Sequence, residues 1–229
     1  MGIVEKWIQD QLNMTELSDE HKRYLARRGV DEDSSVKFHT WKTSESLSPC
    51  SKFAYIYGQR GEKIDGQLVD TVRSPRDKIL GMEARRTLAD GSKKVFQYRT
   101  KPAAWNPYLI GSEKAFNTLW SGCDLWIVEG VFDLISVEKV IPSCDAVCST
   151  LRAGMDKITL DMIARFAGKS STVFIAYDND ETGQKKAKWL KYNLNQQGVR
   201  SEIWKFRGGK DPNEIWMRGK ERALRRAFL

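Results

Sequence analysis

The chain has 229 residues, of which 41% are hydrophobic and 30% charged; this is too apolar for a disordered protein and predicts one sizeable core or two modest ones. The sequence contains no run of about 18 apolar residues, and acidic residues interrupt its N-terminus, "MGIVEKWIQDQ". We therefore expect neither a membrane span nor a signal peptide, and a cytoplasmic protein. The formal net charge of +8 favours polyanionic partners such as nucleic acid and nucleotides.

The first 110 residues predict a basic, mixed lobe of the α+β class. The segment "LSDEHKRYLARRGV" (17–30) has the cap residues and the glycine stop, Gly29, of a helix. Short strand-like segments such as "FAYIYG", "KILGMEARRTL" and "KVFQYRT" follow, separated by turn sequences, and they predict mostly antiparallel pairing. Lysine and arginine are concentrated here, with Phe96 and Tyr98 interleaved, as expected for a nucleic-acid surface.

From residue 111 onward, strand-like and helix-like patterns alternate. Strands are predicted at 125–130, 145–150, 172–178 and 200–206, and helices at 131–141, 160–168 and 182–198. This order is typical of α/β domains, in which a parallel sheet is flanked by helices on both faces. We assign residues 111–217 to this second domain and 218–229 to a basic, helical C-terminal tail.

Acidic residues stand at the ends of two of these predicted strands. Glu129 follows "LWIV", Asp178 closes "TVFIAYD", and Asp180 comes two residues later. Ligands of parallel sheets bind beyond the carboxyl ends of the strands, so these carboxylates converge if the two strands are neighbours. Clustered carboxylates are favourable only with a compensating cation, and hard divalent ions prefer oxygen ligands. The pattern predicts a metal site.

Three stretches, "VEGVFDLISV", "AYDNDETGQKKA" and "GKDPNEIW", resemble the signature motifs of the TOPRIM domain found in DnaG-type and phage primases. Upstream, "YLARRGV", "VRSPRDKILGMEARR" and "FQYRTKP" resemble parts of the primase catalytic core. The resemblance spans roughly residues 17–217 and implies a Rossmann-like TOPRIM domain behind the basic lobe. It also implies a nucleotidyltransferase, the RNA polymerase core of a primase.

Matched position by position, the family motifs imply that the three strand-end acids, Glu129, Asp178 and Asp180, are the catalytic and metal-binding residues. It adds Asp133 and Asp211 as supporting carboxylates, although each is equally explained as a helix first-turn or capping acid. The implied metal is Mg²⁺ or Mn²⁺. No zinc is expected, because the four cysteines form no CxxC pair and the two histidines are not spaced with them as zinc ligands. The residues predicted to bind nucleotide or DNA are Arg85, Lys94, Tyr98, Arg99, Lys101 and Arg152.

One motif departs from the family pattern. Asn213, in "DPNE", stands where relatives carry a carboxylate, so either a second metal is held more weakly or this position is not a ligand. The family's zinc-binding module and helicase domain are not recognised in the sequence. We therefore expect a replicative helicase or a zinc-binding module to act in trans, and a phage or mobile-element origin.

The resulting hypothesis is a DNA primase that makes short RNA primers on single-stranded DNA from ribonucleoside triphosphates. Two alternatives remain: a TOPRIM metal-dependent nuclease, and a non-catalytic single-stranded-DNA-binding adaptor in replication.

Overall fold

The computed structural model describes residues 19–31, 34, 38–40, 52–58, 79–87, 93–99, 109, 112–150, 155–167 and 170–227. Its helices are α1 (Asp19–Arg27), α2 (Ser112–Trp120), α3 (Val131–Glu138), α4 (Lys157–Phe166), α5 (Glu181–Gln196) and α6 (Pro212–Ala227). Its strands are β1 (Phe38–Thr40), β2 (Lys52–Gly58), β3 (Ile79–Thr87), β4 (Lys93–Arg99), β5 (Leu125–Val128), β6 (Ala146–Ser149), β7 (Val173–Ile175) and β8 (Ser201–Ile203).

The first sheet is antiparallel throughout, with strand order β1-β2-β3-β4. The strands predicted from "FAYIYG", "KILGMEARRTL" and "KVFQYRT" are confirmed as β2, β3 and β4. In its register Tyr55 pairs with Glu83, and Arg85 with Val95.

The second sheet is parallel, with strand order β6-β5-β7-β8. The predicted alternation of strands and helices is confirmed, and β5 and β7 are neighbours at the centre. Both faces of β5 are buried, because alternate side chains enter two different core clusters. Leu125 and Ile127 pack with α2, α4 and α5, whereas Trp126 and Val128 pack with α3 and α6.

The regular part of β7 is shorter than the predicted strand 172–178. Ladder pairing ends at Ile175, and the amide of Ala176 still donates to the carbonyl oxygen of Ile127 at 2.8 Å. Beyond it the chain leaves the sheet toward α5, which starts at Glu181. The strand-end acids therefore stand on a short connection rather than in the ladder.

Helix α1, the first in the described part of the chain, packs on the parallel-sheet unit. Leu25 belongs to the same core cluster as α3 and α6. After the helix, Gly29 adopts a positive φ of 88°, and a Cβ there would lie 2.7 Å from Trp216 Nε1. The close approach of α1 to α6 thus requires glycine at this position.

Helix α6 contains a kink at Gly219 and Lys220, and the part beyond it places Leu224 and Ala227 in the core. The segment predicted as a tail is helical, and part of it is buried. The domain boundaries at 110 and 217 stay predictions. Among the described helices, none has the length and apolar character needed to cross a bilayer.

Candidate metal centre

Sheet topology brings the acids of two strands together. Because β5 and β7 are parallel neighbours, with Leu125 opposite Val173, they end at the same edge of the sheet. Glu129 follows β5 directly, and its Oε1 accepts a hydrogen bond from the backbone amide of Asp178 at 3.2 Å. The two acidic segments are therefore in contact.

Asp180 caps helix α5. Its Oδ1 accepts from the amide of Gly183 at 2.8 Å, so the carboxylate lies at the positive end of the helix. Gly183 is packed tightly beneath the acids: a Cβ there would lie 2.4 Å from the carbonyl oxygen of Asp178 and 2.8 Å from Glu129 Oε1. The first turn of the helix approaches the acids this closely only because residue 183 has no side chain.

A lysine from the loop after β8 lies between the two aspartates. Lys210 Nζ is 3.2 Å from Asp178 Oδ2 and 3.0 Å from Asp180 Oδ2. The ammonium group thus supplies part of the compensating positive charge that the sequence led us to expect from a metal.

Asn179 holds the loop that carries this lysine. Its side-chain nitrogen donates to the carbonyl oxygens of Phe206 and Gly209, each at 3.0 Å. Its backbone amide donates to the carbonyl oxygen of Lys210 at 2.7 Å. The residue between the two aspartates therefore fixes the backbone that presents the cation to them.

The electrostatic environments of the three acids differ. Burial, with the Asp178 carboxylate as a second cause, raises the pKa of Glu129 to about 7. Burial also raises the pKa of Asp178, against the lowering effect of Lys210. The hydrogen bond from Gly183, followed by that from Lys210, lowers the pKa of Asp180. In return the two aspartates raise the pKa of Lys210, so its ammonium stays charged.

The donor set fits a hard divalent cation. Glu129, Asp178 and Asp180 offer carboxylate oxygens at one sheet edge, and a positive group already lies against two of them. Within the described part of the chain, no three acidic, histidine or cysteine side chains are grouped closely enough to hold a metal as they stand. A metal held by all three acids at this site therefore requires their carboxylates to turn toward it.

The two supporting acids are engaged by helix amides. Asp133 is buried, and its Oδ1 accepts from the amide of Asn213 at 3.1 Å. Asp211 Oδ1 accepts from the amide of Glu214 at 2.6 Å, which makes it a cap of α6. Asp211 also contributes to the raised pKa of Asp178, so it lies within electrostatic range of the centre. Asp133 lies in the first turn of α3 and Asp211 caps α6, which are the positions of the two alternative interpretations, and a ligand role for either acid stays a prediction.

Asn213 is a buried structural link. Its side-chain nitrogen donates to the carbonyl oxygen of Arg28 and to Ser136 Oγ, each at 2.8 Å, and to the carbonyl oxygen of Phe132 at 3.3 Å. Its Oδ1 accepts from the Arg28 guanidinium. The amide therefore joins α6 to α1 and α3, a role that needs a donor and an acceptor in one side chain.

The predicted nucleotide-binding residues of the lobe are placed by backbone register. Arg85 lies in β3, opposite Val95; Tyr98 pairs with Met82, and Arg99 with Gly81. Lys94 pairs with Arg86 in the same register. Lys101 and Arg152 lie outside the described residues.

Sequence reasoning missed two residues of the centre, Lys210 and Asn179. Lys210 immediately precedes Asp211 in the third motif, and Asn179 separates the two aspartates of the second. The signal that would have found Lys210 is its positive charge inside an otherwise acidic constellation. No comparable signal marks Asn179, because its partners are carbonyl oxygens distant in sequence.

Comparison with known proteins agrees with this architecture. Residues 126–216 match a family model described as Toprim-like. The fold is similar to that of the Aquifex aeolicus primase, with zinc-binding and RNA polymerase domains, at a TM-score of 0.65 and 20% identity over 92% of this chain and 55% of that one. It is also similar to a DnaG catalytic core (TM-score 0.63, 14% identity, 95% of this chain and 74% of that one).

A third similar structure is the primase fragment of the bacteriophage T7 primase-helicase protein (TM-score 0.53, 16% identity, 91% of this chain and 71% of that one). No curated protein matches the sequence. The chain thus spans about half of the Aquifex structure and about three quarters of the DnaG core. Residues 126–216 thus match a Toprim-like model, and the fold of the chain is similar to that of the catalytic cores of DnaG and phage primases.

Proposed function

We propose that this protein is a DNA primase that synthesises short RNA primers on single-stranded DNA from ribonucleoside triphosphates. The observation that carries the proposal is the contact between Glu129 and the Asp178 segment at one sheet edge, beside Asp180, in a chain with the primase-core fold. Carboxylates from adjacent parallel strands are suited to hold a divalent cation against phosphate oxygens.

Glu129, Asp178 and Asp180 would hold Mg²⁺ or Mn²⁺, with Asp133 and Asp211 as supporting carboxylates. The bound ion would supply charge compensation for the triphosphate and activation of the attacking 3′-hydroxyl. The chain's own contribution is positioning. The hydrogen bond from Asp178 orients the Glu129 carboxylate, and the cap at Gly183 orients that of Asp180.

The basic lobe would bind the template and the incoming nucleotide. The proposed contacts are Arg85, Lys94, Tyr98, Arg99 and Lys101, together with Arg152 of the Toprim-like domain. Since lysine and arginine release counterions when they pair with phosphates, DNA affinity should fall steeply with salt. A matched polymerase domain from Mycobacterium tuberculosis DnaG, with a TM-score of 0.55, was solved with double-stranded DNA.

Two of the similar structures suggest partners. The T7 structure is a fragment of a primase-helicase protein, and the Aquifex structure carries a zinc-binding domain beside its polymerase domain. We propose that a replicative helicase or a zinc-binding module acts with this chain in trans.

A primer-synthesis assay tests the proposal. The protein is incubated with short single-stranded templates, labelled ribonucleotides and Mg²⁺ or Mn²⁺, and product length is measured. Asp178→Asn should reduce synthesis by about a hundredfold or more, because losing even an outer partner of a metal ligand commonly costs 10- to 100-fold. Asp161→Asn, at an exposed position of α4, is the matched control and should leave synthesis unchanged. A fully active Asp178→Asn would refute the metal assignment.

The same assay separates the alternatives. Shortened DNA in place of extended RNA would indicate the nuclease. The non-catalytic adaptor has one structural observation in its favour: Lys210 already lies against both aspartates, so part of their negative charge is compensated without a metal. DNA binding indifferent to divalent metal, with no product, would support the adaptor.

A further inference from the structure

The candidate centre contains its own cation, and that cation uses oxygens a metal would need. Lys210 Nζ contacts Oδ2 of Asp178 and Oδ2 of Asp180, at 3.2 and 3.0 Å. An ammonium group and a divalent ion that contact the same oxygens repel each other. Metal binding through these Oδ2 atoms therefore competes with the two lysine ion pairs.

The backbone of Lys210 is fixed by hydrogen bonds, whereas its side chain is partly exposed and free to change rotamer. Asn179 fixes the loop through the carbonyl oxygens of Phe206, Gly209 and Lys210. The Lys210 side chain is 53% exposed, whereas that of Asp178 is 19% exposed. The ammonium can thus swing into solvent by rotation about its flexible stem, without loss of any of these backbone contacts.

The charges around the site indicate which group the Lys210 ammonium would contact once a divalent ion has displaced it. Asp178, Asp180 and the nearby Asp211 and Glu129 are acidic, and the cation that acts on Glu129 is Lys186 of α5. A divalent ion bound to the acids would leave Lys210 without its partners at the rim of the centre. Phosphate oxygens brought in by the ion are the strongest acceptors available to it.

We propose that Lys210 is a tethered counter-ion, which occupies the aspartate pair before the metal arrives and pairs with metal-associated phosphates afterwards. This inference rests on the proposed metal-dependent function of the same centre. It assigns Lys210 two measurable effects: it weakens the intrinsic affinity for the metal, and it strengthens the binding of a phosphate ligand once the metal is bound.

The first effect is tested by titrating Mn²⁺ into the full chain and measuring free Mn²⁺ by electron paramagnetic resonance. Lys210→Met should bind Mn²⁺ roughly three- to tenfold more tightly than the wild type, as expected from the removal of two partly exposed ion pairs. Lys210→Arg keeps the competing charge and should not bind more tightly than the wild type.

Lys188→Met is the matched control, since Lys188 is exposed about two turns into α5 and has the same charge. It should change the Mn²⁺ affinity by less than about twofold, because an exposed charge at that distance is screened. Equal or weaker Mn²⁺ binding by folded Lys210→Met would overturn the competition. If Lys188→Met raised the Mn²⁺ affinity as much as Lys210→Met, the increase would be explained by net charge alone, and the proposed competition would again be overturned.

The second effect is tested with inorganic pyrophosphate at saturating Mn²⁺, by calorimetry. Lys210→Met should bind pyrophosphate roughly fivefold or more weakly, the loss expected for one charge-assisted contact, and Lys210→Arg should retain most of the affinity. Unchanged pyrophosphate binding by Lys210→Met would overturn the phosphate role. Neither measurement requires primer synthesis, so a chain that binds as described but makes no primers would refute the primase and leave this inference intact.

Discussion

Asn213→Asp, which introduces an acid into the third motif, should destabilise this protein rather than improve its metal site. The side chain of Asn213 is buried, with the residue 1% exposed, and its side-chain amide donates to Arg28, Phe132 and Ser136. Its backbone amide donates to the Asp133 carboxylate. A carboxylate has no hydrogen to donate to these acceptors. Asn213→Asp would place acceptors against the carbonyl oxygens of Arg28 and Phe132, inside the core.

The magnitude follows from the groups left without partners in Asn213→Ala. The carbonyl oxygen of Phe132 keeps a hydrogen bond from Ser136 Oγ at 2.9 Å, whereas that of Arg28 loses its bond from the amide. The Arg28 guanidinium loses the acceptor Oδ1 as well. One orphaned carbonyl and one lost bond to a charged donor together cost about 3 kcal/mol. For a chain of this size, that loss lowers the melting temperature by about 6–12 °C.

Urea and thermal unfolding measure the effect, with Asn193→Ala as the control. Asn193 donates one exposed hydrogen bond to the carbonyl oxygen of Trp189 at 2.7 Å, and its loss should cost less than about 0.5 kcal/mol. Asn213→Asp should be destabilised at neutral pH at least as much as Asn213→Ala, with the Arg28 guanidinium as a partial offset. Its Mn²⁺ affinity should not rise. Wild-type stability together with tighter Mn²⁺ binding in Asn213→Asp would refute the structural role.

Three further outcomes are expected. Folding raises the pKa of Glu129 from 4.5 to about 7. The folded state therefore binds the Glu129 proton more tightly than the unfolded state does, and the stability gained in this way is lost as the pH rises from 4.5 through about 7. Glu129→Gln should therefore unfold in urea with roughly 2 kcal/mol more stability than the wild type at pH 8, after allowance for screening, and with no gain near pH 4. Gly183→Ala should lower the melting temperature more than Gly198→Ala does. A Cβ at position 198 meets no atom within 4 Å, so that substitution is strained only by the positive φ. Equal decreases in melting temperature would contradict the tight packing of Gly183 against the acids. Mn²⁺ at about 100 times its dissociation constant should stabilise the wild type by about 2.7 kcal/mol in thermal unfolding and leave Asp178→Asn almost unaffected.

The order of elements and the identity of the strand-end acids were determined by the sequence alone. Alternating apolar strands and amphipathic helices predict a parallel sheet, because each strand must be covered on both faces. Glu129, Asp178 and Asp180 could be singled out because they stand at or just beyond the ends of the predicted strands. The antiparallel strands of the lobe were also readable, since turn residues separate them.

Tertiary structure alone decided which of these residues touch. Neighbouring positions for β5 and β7 depend on strand order, which local periodicity does not encode. The roles of Asn213 and Asn179 depend on carbonyl oxygens distant in sequence, and a single amide side chain carries no sign of such partners. The same holds for Lys210, whose charge is visible in the sequence but whose place between two carboxylates depends on how the last loop folds back over the sheet edge. Residue type sets the chemistry that a position can perform, and long-range packing selects the partners with which it is performed.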